Sequence, residues 1–175
     1  MKNRMNLQLF AAAVSGKKLV YLYRIKELAA TNDGTNLAFV TENTRSISVD
    51  ADSTITKDGA IRTPGEPEIE IESTSILAKD DTMIDALENA MLNNKLLQIW
   101  EANLEQPGTT ANTFKGRYYE GYLTSFEKSS NAEDFVECSL TFGINGKGEA
   151  GDVTVSVAQQ EAASYVFQDT PKTGV

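Results

Sequence analysis

The 175-residue chain contains no histidine and a single cysteine, and both shortages limit the chemistry it can perform. Without histidine, the commonest general base, the Ser-His-Asp and Cys-His nucleophile pairs and most zinc sites are excluded. Because Cys138 stands alone, the chain can form neither an intrachain disulfide nor a multi-cysteine metal site. We therefore expect no catalytic residue, no metal ion and no cofactor, and an enzyme is the weakest interpretation of this sequence.

Basic residues and long apolar runs are also scarce. The chain has 16 lysines and arginines against 25 acidic residues, which gives a formal net charge of -9. A protein that binds nucleic acid tightly needs an excess of basic residues, because it neutralises phosphates with cations. No apolar stretch approaches the roughly 20 residues of a membrane-spanning helix. We expect neither a membrane partner nor stable binding of nucleic acid.

The first 16 residues imitate a secretory signal only in part. Lys2 and Arg4 precede a short apolar run at residues 7–14, but Gln8 interrupts that run. We interpret residues 1–16 as an N-terminal arm that docks on a neighbouring molecule, and the polar residues 169–175 as a C-terminal tail. Residues 17–168 are predicted to form a single domain.

Two-residue periodicity dominates the chain and predicts β-strands. In the clearest example Leu19, Tyr21 and Tyr23 fall on one face while Lys18 and Arg24 fall on the other. Strands are predicted at residues 19–25, at 37–41 and 46–50, which can be one long bent strand, and at 68–72, 96–101, 117–126, 135–144 and 153–157. A polar loop is predicted at residues 105–112, and a short apolar segment at 165–167 closes the fold.

Helical spacing appears at length only once. The residues that recur three and four positions apart are Met83, Ile84, Leu87, Ala90 and Met91. Asp80 or Asp81 can cap the start of this helix, which ends near Asn93, and a short helical patch is predicted at 158–163. The combination predicts a mainly β fold, a β-sandwich or barrel-like sheet flanked by one α-helix.

The segment at residues 50–67 shows little periodicity. It is polar and contains Gly59, Pro64 and Gly65, which predicts a long loop or the tip of an extended hairpin. A calcium loop beginning at Asp50 is excluded, because Ile55 and Ile61 stand where glycine and glutamate are required. Loops of this length usually carry a function.

Three carboxylates alternate with isoleucine at the next strand. Glu68, Glu70 and Glu72 fall on one face, and Ile69 and Ile71 fall on the other. Carboxylates two residues apart on a regular strand, with no environment that would raise one pKa, are better explained as a solvated face than as a catalytic pair. The sequence predicts one buried and one strongly acidic face.

The glycines at residues 146–151 formally match a dinucleotide-binding fingerprint. That fingerprint requires a following helix to receive the pyrophosphate, whereas Val153, Val155 and Val157 alternate as in a strand. We therefore predict a turn between strands at this point. In the preceding strand Cys138 shares a face with Leu140 and Phe142, and it is predicted to be a buried core residue without thiolate reactivity.

Several segments resemble one protein family in their order and joint presence. They are DADSTITKDG at 50–59, SILAKDDTMIDAL at 75–87, LLQIWEAN at 96–103, YYEGYLTSFEKSSNAEDF at 118–135, FGINGKGEAG at 142–151 and YVFQDTPKTG at 165–174. The chain resembles the major tail proteins, or tail tube proteins, of long non-contractile-tailed phages of Gram-positive bacteria, of the lactococcal phage type. None of these segments is a catalytic motif.

The resemblance implies a structural protein of the virion tail, assembled in the host cytoplasm. It implies a sandwich with one flanking helix, in hexameric rings whose sheets merge into a barrel around a channel. The rings stack, both chain ends cross subunit boundaries as arms, and DNA passes without being bound. The implied partners are other copies of the chain, the tape-measure protein, the tail initiator or baseplate proteins and the tail terminator protein.

Two hypotheses assign residues within such a tube. Glu68, Glu70 and Glu72 are expected to line the channel, where negative walls repel the DNA backbone. The 50–67 segment is a candidate contact to the next ring. Its candidate residues are Asp50, Asp52, Lys57, Asp58, Gly59 and Arg62.

Two other functions remain open from the residues alone. A tube subunit of a contractile injection or secretion system would share the ring-forming sandwich. A carbohydrate-binding sandwich would require an exposed aromatic platform, for which Tyr118, Tyr119 and Tyr122 are the candidates.

Overall fold

The computed structural model describes residues 13–163. Residues 1–12 of the predicted 1–16 arm, the apolar segment predicted at 165–167 and the predicted tail at 169–175 lie outside it. The strands are β1 (Leu19–Ile25), β2 (Val40–Thr56), β3 (Gly59–Ile76), β4 (Leu97–Pro107), β5 (Thr113–Ser129) and β6 (Glu137–Thr154). The helices are α1 (Thr82–Leu92) and α2 (Val157–Ala163), with 3-10 turns at Gly16–Lys18 and Lys26–Leu28. The mainly β fold with one principal helix is confirmed.

All six strands form one antiparallel sheet in the order β1-β4-β5-β6-β3-β2. The long hairpins β2–β3 and β5–β6 lie side by side, so most of the sheet is built from strands that are neighbours in sequence. β1 is one edge, and its Tyr23 also bridges to Thr35 in the connection to β2. β2 is the other edge.

The sheet bends along β5 and β6, which are 17 and 18 residues long. Their register shifts between Tyr118 and Glu120 and again between Leu123 and Ser125, and such irregularities increase the twist of a strand. On β6, Gly146 and Gly148 have φ values of 70° and 67°, which favour glycine. The turn predicted at residues 146–151 is therefore wrong: these glycines accommodate a bend inside one continuous strand.

The bend brings the two ends of the sheet together around a shared core. The Tyr23 ring of β1 stacks on the Phe142 ring of β6 with centroids 5.0 Å apart, although two strands separate them in the sheet. Cys138 is fully buried in this core, and burial raises the pKa of its thiol, which leaves the unreactive core residue that was predicted.

Helix α1 covers part of the core and contacts β5. Ile84, Leu87 and Ala90, at the predicted three-residue spacing, are its buried residues. The Asp81 side chain caps the helix, because its Oδ1 accepts hydrogen bonds from the backbone N–H groups of Met83 and Ile84 at 3.1 and 3.2 Å. The capped, amphipathic helix was therefore predicted correctly.

Several strand boundaries in the structure differ from the predicted ones. The segments predicted at 37–41 and 46–50 belong to one strand that begins at Val40, and β4 continues to Pro107 through the first part of the predicted 105–112 loop. The predicted strand at 153–157 is wrong in its second half, because β6 ends at Thr154 and Val157 opens α2. The short helix predicted at 158–163 is present.

Candidate assembly surfaces

Residues 50–67 form the outer part of the β2–β3 hairpin. Pairing continues from Ala51 opposite Pro64 to Thr56 opposite Gly59, with a turn at Lys57 and Asp58. The hairpin interpretation is correct and the loop interpretation is wrong. Every residue from 46 to 66 is exposed, so neither face of this hairpin is buried and its sequence lacks the alternation that identifies strands.

The hairpin carries apolar side chains that the sequence interpretation did not assign to an interface. Ile55 is 87% exposed and Ile61 is 59% exposed, and Ile47 and Val49 are also exposed. Ile55 pairs with Ala60 and Ile61 pairs with Thr54, so the two isoleucines lie on opposite faces of the ribbon. Exposed apolar side chains on both faces of a projecting hairpin are typical of an element that another molecule covers.

The six residues predicted to contact another ring lie on this hairpin and are exposed. Asp50 and Asp52 lie on β2, Lys57 and Asp58 form the turn, and Gly59 and Arg62 lie on β3. The Thr56 hydroxyl donates to the carbonyl of Gly59 at 2.7 Å, which closes the turn. A calcium loop would have required glycine and glutamate at positions 55 and 61, and the isoleucines found there instead form the apolar surface of the hairpin.

The acidic face of β3 has the predicted arrangement. Glu68, Glu70 and Glu72 are exposed, whereas Ile69 and Ile71 are buried. Opposite the three glutamates on β2 stand Ser48, Ser46 and Thr44, which are uncharged. Within residues 13–163 none of the three carboxylates has an ion-pair partner, so this face presents uncompensated negative charge.

A polar cluster that could not be recognised from the sequence holds the base of the hairpin in place. The Arg45 Nε of β2 lies 2.8 Å from Glu101 Oε2 of β4, and the Tyr21 hydroxyl of β1 donates to the same oxygen at 2.7 Å. Three strands separate β2 from β4 in the sheet, so these bonds span the interior. Burial, followed by the hydrogen bond to Glu101, raises the pKa of Tyr21.

A second cluster joins the same two edges of the sheet. The Ser73 hydroxyl of β3 donates to Asn43 Oδ1 of β2 at 2.7 Å. Its proton is then committed, so the Tyr23 hydroxyl of β1 donates to Ser73 Oγ, at 2.5 Å. Burial raises the pKa of Tyr23, which therefore stays a donor. The two clusters hold the base of β2 over β1 and so set the direction of the hairpin.

Asp152 fastens the β4–β5 connection to β6. Its carboxylate accepts hydrogen bonds from the backbone N–H and the hydroxyl of Thr109, both at 2.7 Å, and pairs with Lys115 Nζ at 2.5 Å. The hydrogen bond from Lys115 and then those from Thr109 lower the pKa of Asp152 from 3.8 to about 2.

A group whose pKa is lowered in the folded state stabilises that state above its ordinary pKa and ceases to do so as the pH falls through the lowered value. We expect the urea midpoint to fall as the pH decreases from about 4 to about 2. The Asp152→Asn variant is expected to show a smaller change of the midpoint with pH. Asp58→Asn is the control, because the Asp58 carboxylate has no partner among residues 13–163. Equal slopes for the parent and both variants would contradict this role of Asp152.

The other sites considered from the sequence are not assembled. Tyr119 is 1% exposed while Tyr122 is 41% exposed, so the three tyrosines do not form the aromatic platform of a carbohydrate site. In the part of the chain that the structure covers, no three acidic or cysteine side chains are placed to hold a metal ion. None of the described helices has the length and apolar character needed to cross a membrane.

Comparison with known proteins agrees with this architecture. The family described as phage tail tube protein matches residues 13–150. A protein of Staphylococcus phage phiMR25 that is named as a tail protein is 31% identical over 145 residues, covering 80% of this chain and 75% of the relative. Both matches include the β2–β3 hairpin and the acidic strand.

Solved structures share the fold at lower sequence identity. The SPP1 tail tube subunit superimposes with a TM-score of 0.73 at 20% identity, covering 93% of this chain and 95% of the other. A chain from the tail of an empty gene transfer agent particle, refined with C6 symmetry, gives a TM-score of 0.56 at 12% identity. The match covers 78% of this chain and 98% of the other.

Proposed function

The chain belongs to the phage tail tube protein family and forms the tube of a virion tail, and we propose that it does so as stacked rings of six subunits. The family is structural and not enzymatic. The observation that carries the proposal is the outer part of the β2–β3 hairpin, residues 46–66, which is exposed throughout and has apolar side chains on both faces. A channel enclosed by such rings would be the conduit for DNA.

Sixfold symmetry is supported by the sheet and by a structural neighbour. The described part of the chain leaves β1 and β2 as edge strands, and pairing between subunits would cover edges that otherwise favour uncontrolled association. A barrel that continues through every subunit of a ring removes those edges. The gene transfer agent tail, which shares the fold, was refined with C6 symmetry.

We assign the contact between consecutive rings to residues 46–66. Ile55 and Ile61 supply apolar contacts on opposite faces, and the charged residues around the turn supply polar ones. Burying one isoleucine side chain contributes roughly 1.5 to 3 kcal/mol. Every subunit of a ring would repeat this contribution, so a small change in the hairpin acts many times along a tube.

Replacing Ile55 and Ile61 together by serine is expected to abolish tubes while leaving the fold intact, because both side chains are exposed in the single subunit. Tubes are counted by negative-stain electron microscopy, and folding is checked by the urea midpoint. Leu92→Ser is the control, because Leu92 is 76% exposed at the end of α1, outside the hairpin. Normal tubes from the double variant would remove the hairpin from the ring contact.

We further propose that Glu68, Glu70 and Glu72 line the channel. A ring of six subunits carries six times the formal charge of -9, and these carboxylates lack compensating cations in the described residues. A conduit that bound phosphates would retain DNA, whereas negative walls repel it.

Lysine at all three of these positions is expected to leave tubes intact and to slow DNA ejection, with stronger retention at low salt. The control places lysine at Glu88, Glu127 and Glu133, which changes the net charge equally at exposed or partly exposed positions elsewhere. Ejection kinetics and co-sedimentation of DNA with tubes give the readout. Unchanged ejection and assembly in the Glu68, Glu70 and Glu72 variant would remove these residues from the lumen.

The remaining partners and the phage type follow as part of the same proposal. The tube would contact a tape-measure protein, tail initiator or baseplate proteins and a terminator protein, and would assemble in the host cytoplasm. The sequence segments favour a long non-contractile tail of the lactococcal type, and the Staphylococcus phage relative supports a Gram-positive host. An injection or secretion tube is the alternative; sheath or effector genes beside the coding gene would favour it over a tape-measure gene.

A further inference from the structure

The sequence contains one asparagine followed by glycine, Asn145-Gly146, and this pair lies in β6 where pairing with both neighbouring strands is interrupted. On the β5 side the paired positions step from Asn145 to Glu149, so residues 146–148 lie opposite Tyr119 alone. On the β3 side the pairing ends one residue before Asn145. The Gly146 peptide therefore has no register partner in either strand among the described residues, and β6 bulges at this point.

Both residues of the pair are exposed and loosely held. The side-chain amide of Asn145 makes no hydrogen bond within the described part of the chain. Gly146 has a φ of 70°, and a Cβ built on it would meet nothing within 4 Å. Glycine has no side chain beside its main-chain nitrogen and changes conformation at little cost. The Gly146 nitrogen can therefore approach the side chain of the residue before it without a clash.

We propose that Asn145 is a site of spontaneous deamidation, in which the main-chain nitrogen of Gly146 is the nucleophile and water is the second reactant. Hydroxide removes the proton from this nitrogen, which attacks Cγ of Asn145 and closes a cyclic succinimide. The bond from Cγ to the side-chain nitrogen breaks, and that nitrogen takes a proton from water and leaves as ammonia. Water then opens the ring at one of its two carbonyl carbons, which gives aspartate or isoaspartate.

The modification adds one carboxylate to the acidic face of the sheet. Ile144 packs against the core, and Gly143 pairs with Glu70 of β3. Side chains alternate along a strand, so Asn145 lies on the same face as Glu70. Each event replaces a neutral amide on that face by a negative charge. Its effect on a channel rests on the proposed function, whereas the modification itself does not.

Peptide mass spectrometry of the folded full chain, aged at neutral and at mildly alkaline pH, tests this proposal. Asn131 is the internal control, because it is also exposed but is followed by Ala132. We expect Asn145 to lose its amide about tenfold faster than Asn131, because no side chain obstructs ring closure at glycine. The loss is expected to be faster at alkaline pH, and isoaspartate is expected among the products, detected by enzymatic methylation.

Gly146→Ala is expected to slow the loss at Asn145 about tenfold, since its methyl group obstructs ring closure. Gly151→Ala is the matched control, because it places alanine in the same strand where a methyl group meets nothing within 4 Å. It is expected to leave the rate at Asn145 unchanged. The urea midpoint reports whether each variant is folded. If the midpoint of Gly146→Ala falls, the comparison of Asn145 with Asn131 in the parent still decides the proposal.

Three results would overturn the proposal. Equal rates of amide loss at Asn145 and Asn131 would show that the glycine and the bulge confer no reactivity. Aspartate without isoaspartate would indicate direct hydrolysis of the side chain, with no attack by the Gly146 nitrogen. Loss of the amide in urea but not in the folded chain would show that β6 protects the pair.

Discussion

Replacing Arg45 with alanine is expected to lower the free energy of unfolding by about 3 kcal/mol, because it removes the ion-pair partner of Glu101, whose side chain is 12% exposed. Glu101 would keep the hydrogen bond from Tyr21 and lose the ion pair at 2.8 Å. Arg45 is itself 28% exposed, which places the effect at the lower end for a buried pair. Urea unfolding, followed by the fluorescence of the single tryptophan, measures it.

Arg62→Ala is the matched control. Arg62 lies on the exposed part of the hairpin and is expected to change stability by less than about 0.5 kcal/mol. Tyr21→Phe removes only the hydroxyl and is expected to cost about 1 kcal/mol. If Arg45→Ala and Arg62→Ala were equally stable, the polar cluster would not hold the base of the hairpin.

Gly148→Ala is expected to lower the free energy of unfolding by about 3 kcal/mol. Gly148 has a φ of 67°, where an L side chain is strained, and an added methyl group would press on the ring of Tyr119. Tyr119 is almost fully buried and cannot move aside freely. The same unfolding assay measures the loss.

Gly151→Ala separates this effect from a general intolerance of alanine in β6. A methyl group at Gly151 meets nothing within 4 Å. We expect this variant to match the parent or to gain slightly from the lower entropy of its unfolded chain. Similar losses at both positions would show that the bend in β6 does not depend on the conformation of Gly148.

The elements that could be predicted are those with one buried face. The inner half of β3 alternates because Ile69 and Ile71 are buried while Glu68, Glu70 and Glu72 are exposed, and α1 combines helical spacing with an aspartate cap. The outer hairpin has no buried face in a single subunit. Without a buried face its sequence shows no alternation, so the periodicity of the chain carries no signal for it.

The polar clusters were beyond prediction for a different reason. Arg45 and Glu101 are 56 residues apart in sequence and meet only because the sheet bends at β5 and β6. That bend depends on positive-φ glycines, and at residues 146–151 the same glycines predicted a turn between strands. The acidic face was predictable from Glu68, Glu70 and Glu72, whereas the channel that we propose they line would be formed by several subunits, which the sequence of one chain does not describe.

The central claim is that the isolated chain contains the surfaces of a sixfold tube. Negative-stain electron microscopy of the purified full-length chain, mixed with tail initiator proteins to nucleate growth, tests it most directly. The account predicts hollow tubes whose end views show six subunits around an open channel. Solid filaments, rings of another symmetry, or a chain that stays monomeric beside a functional initiator would contradict it.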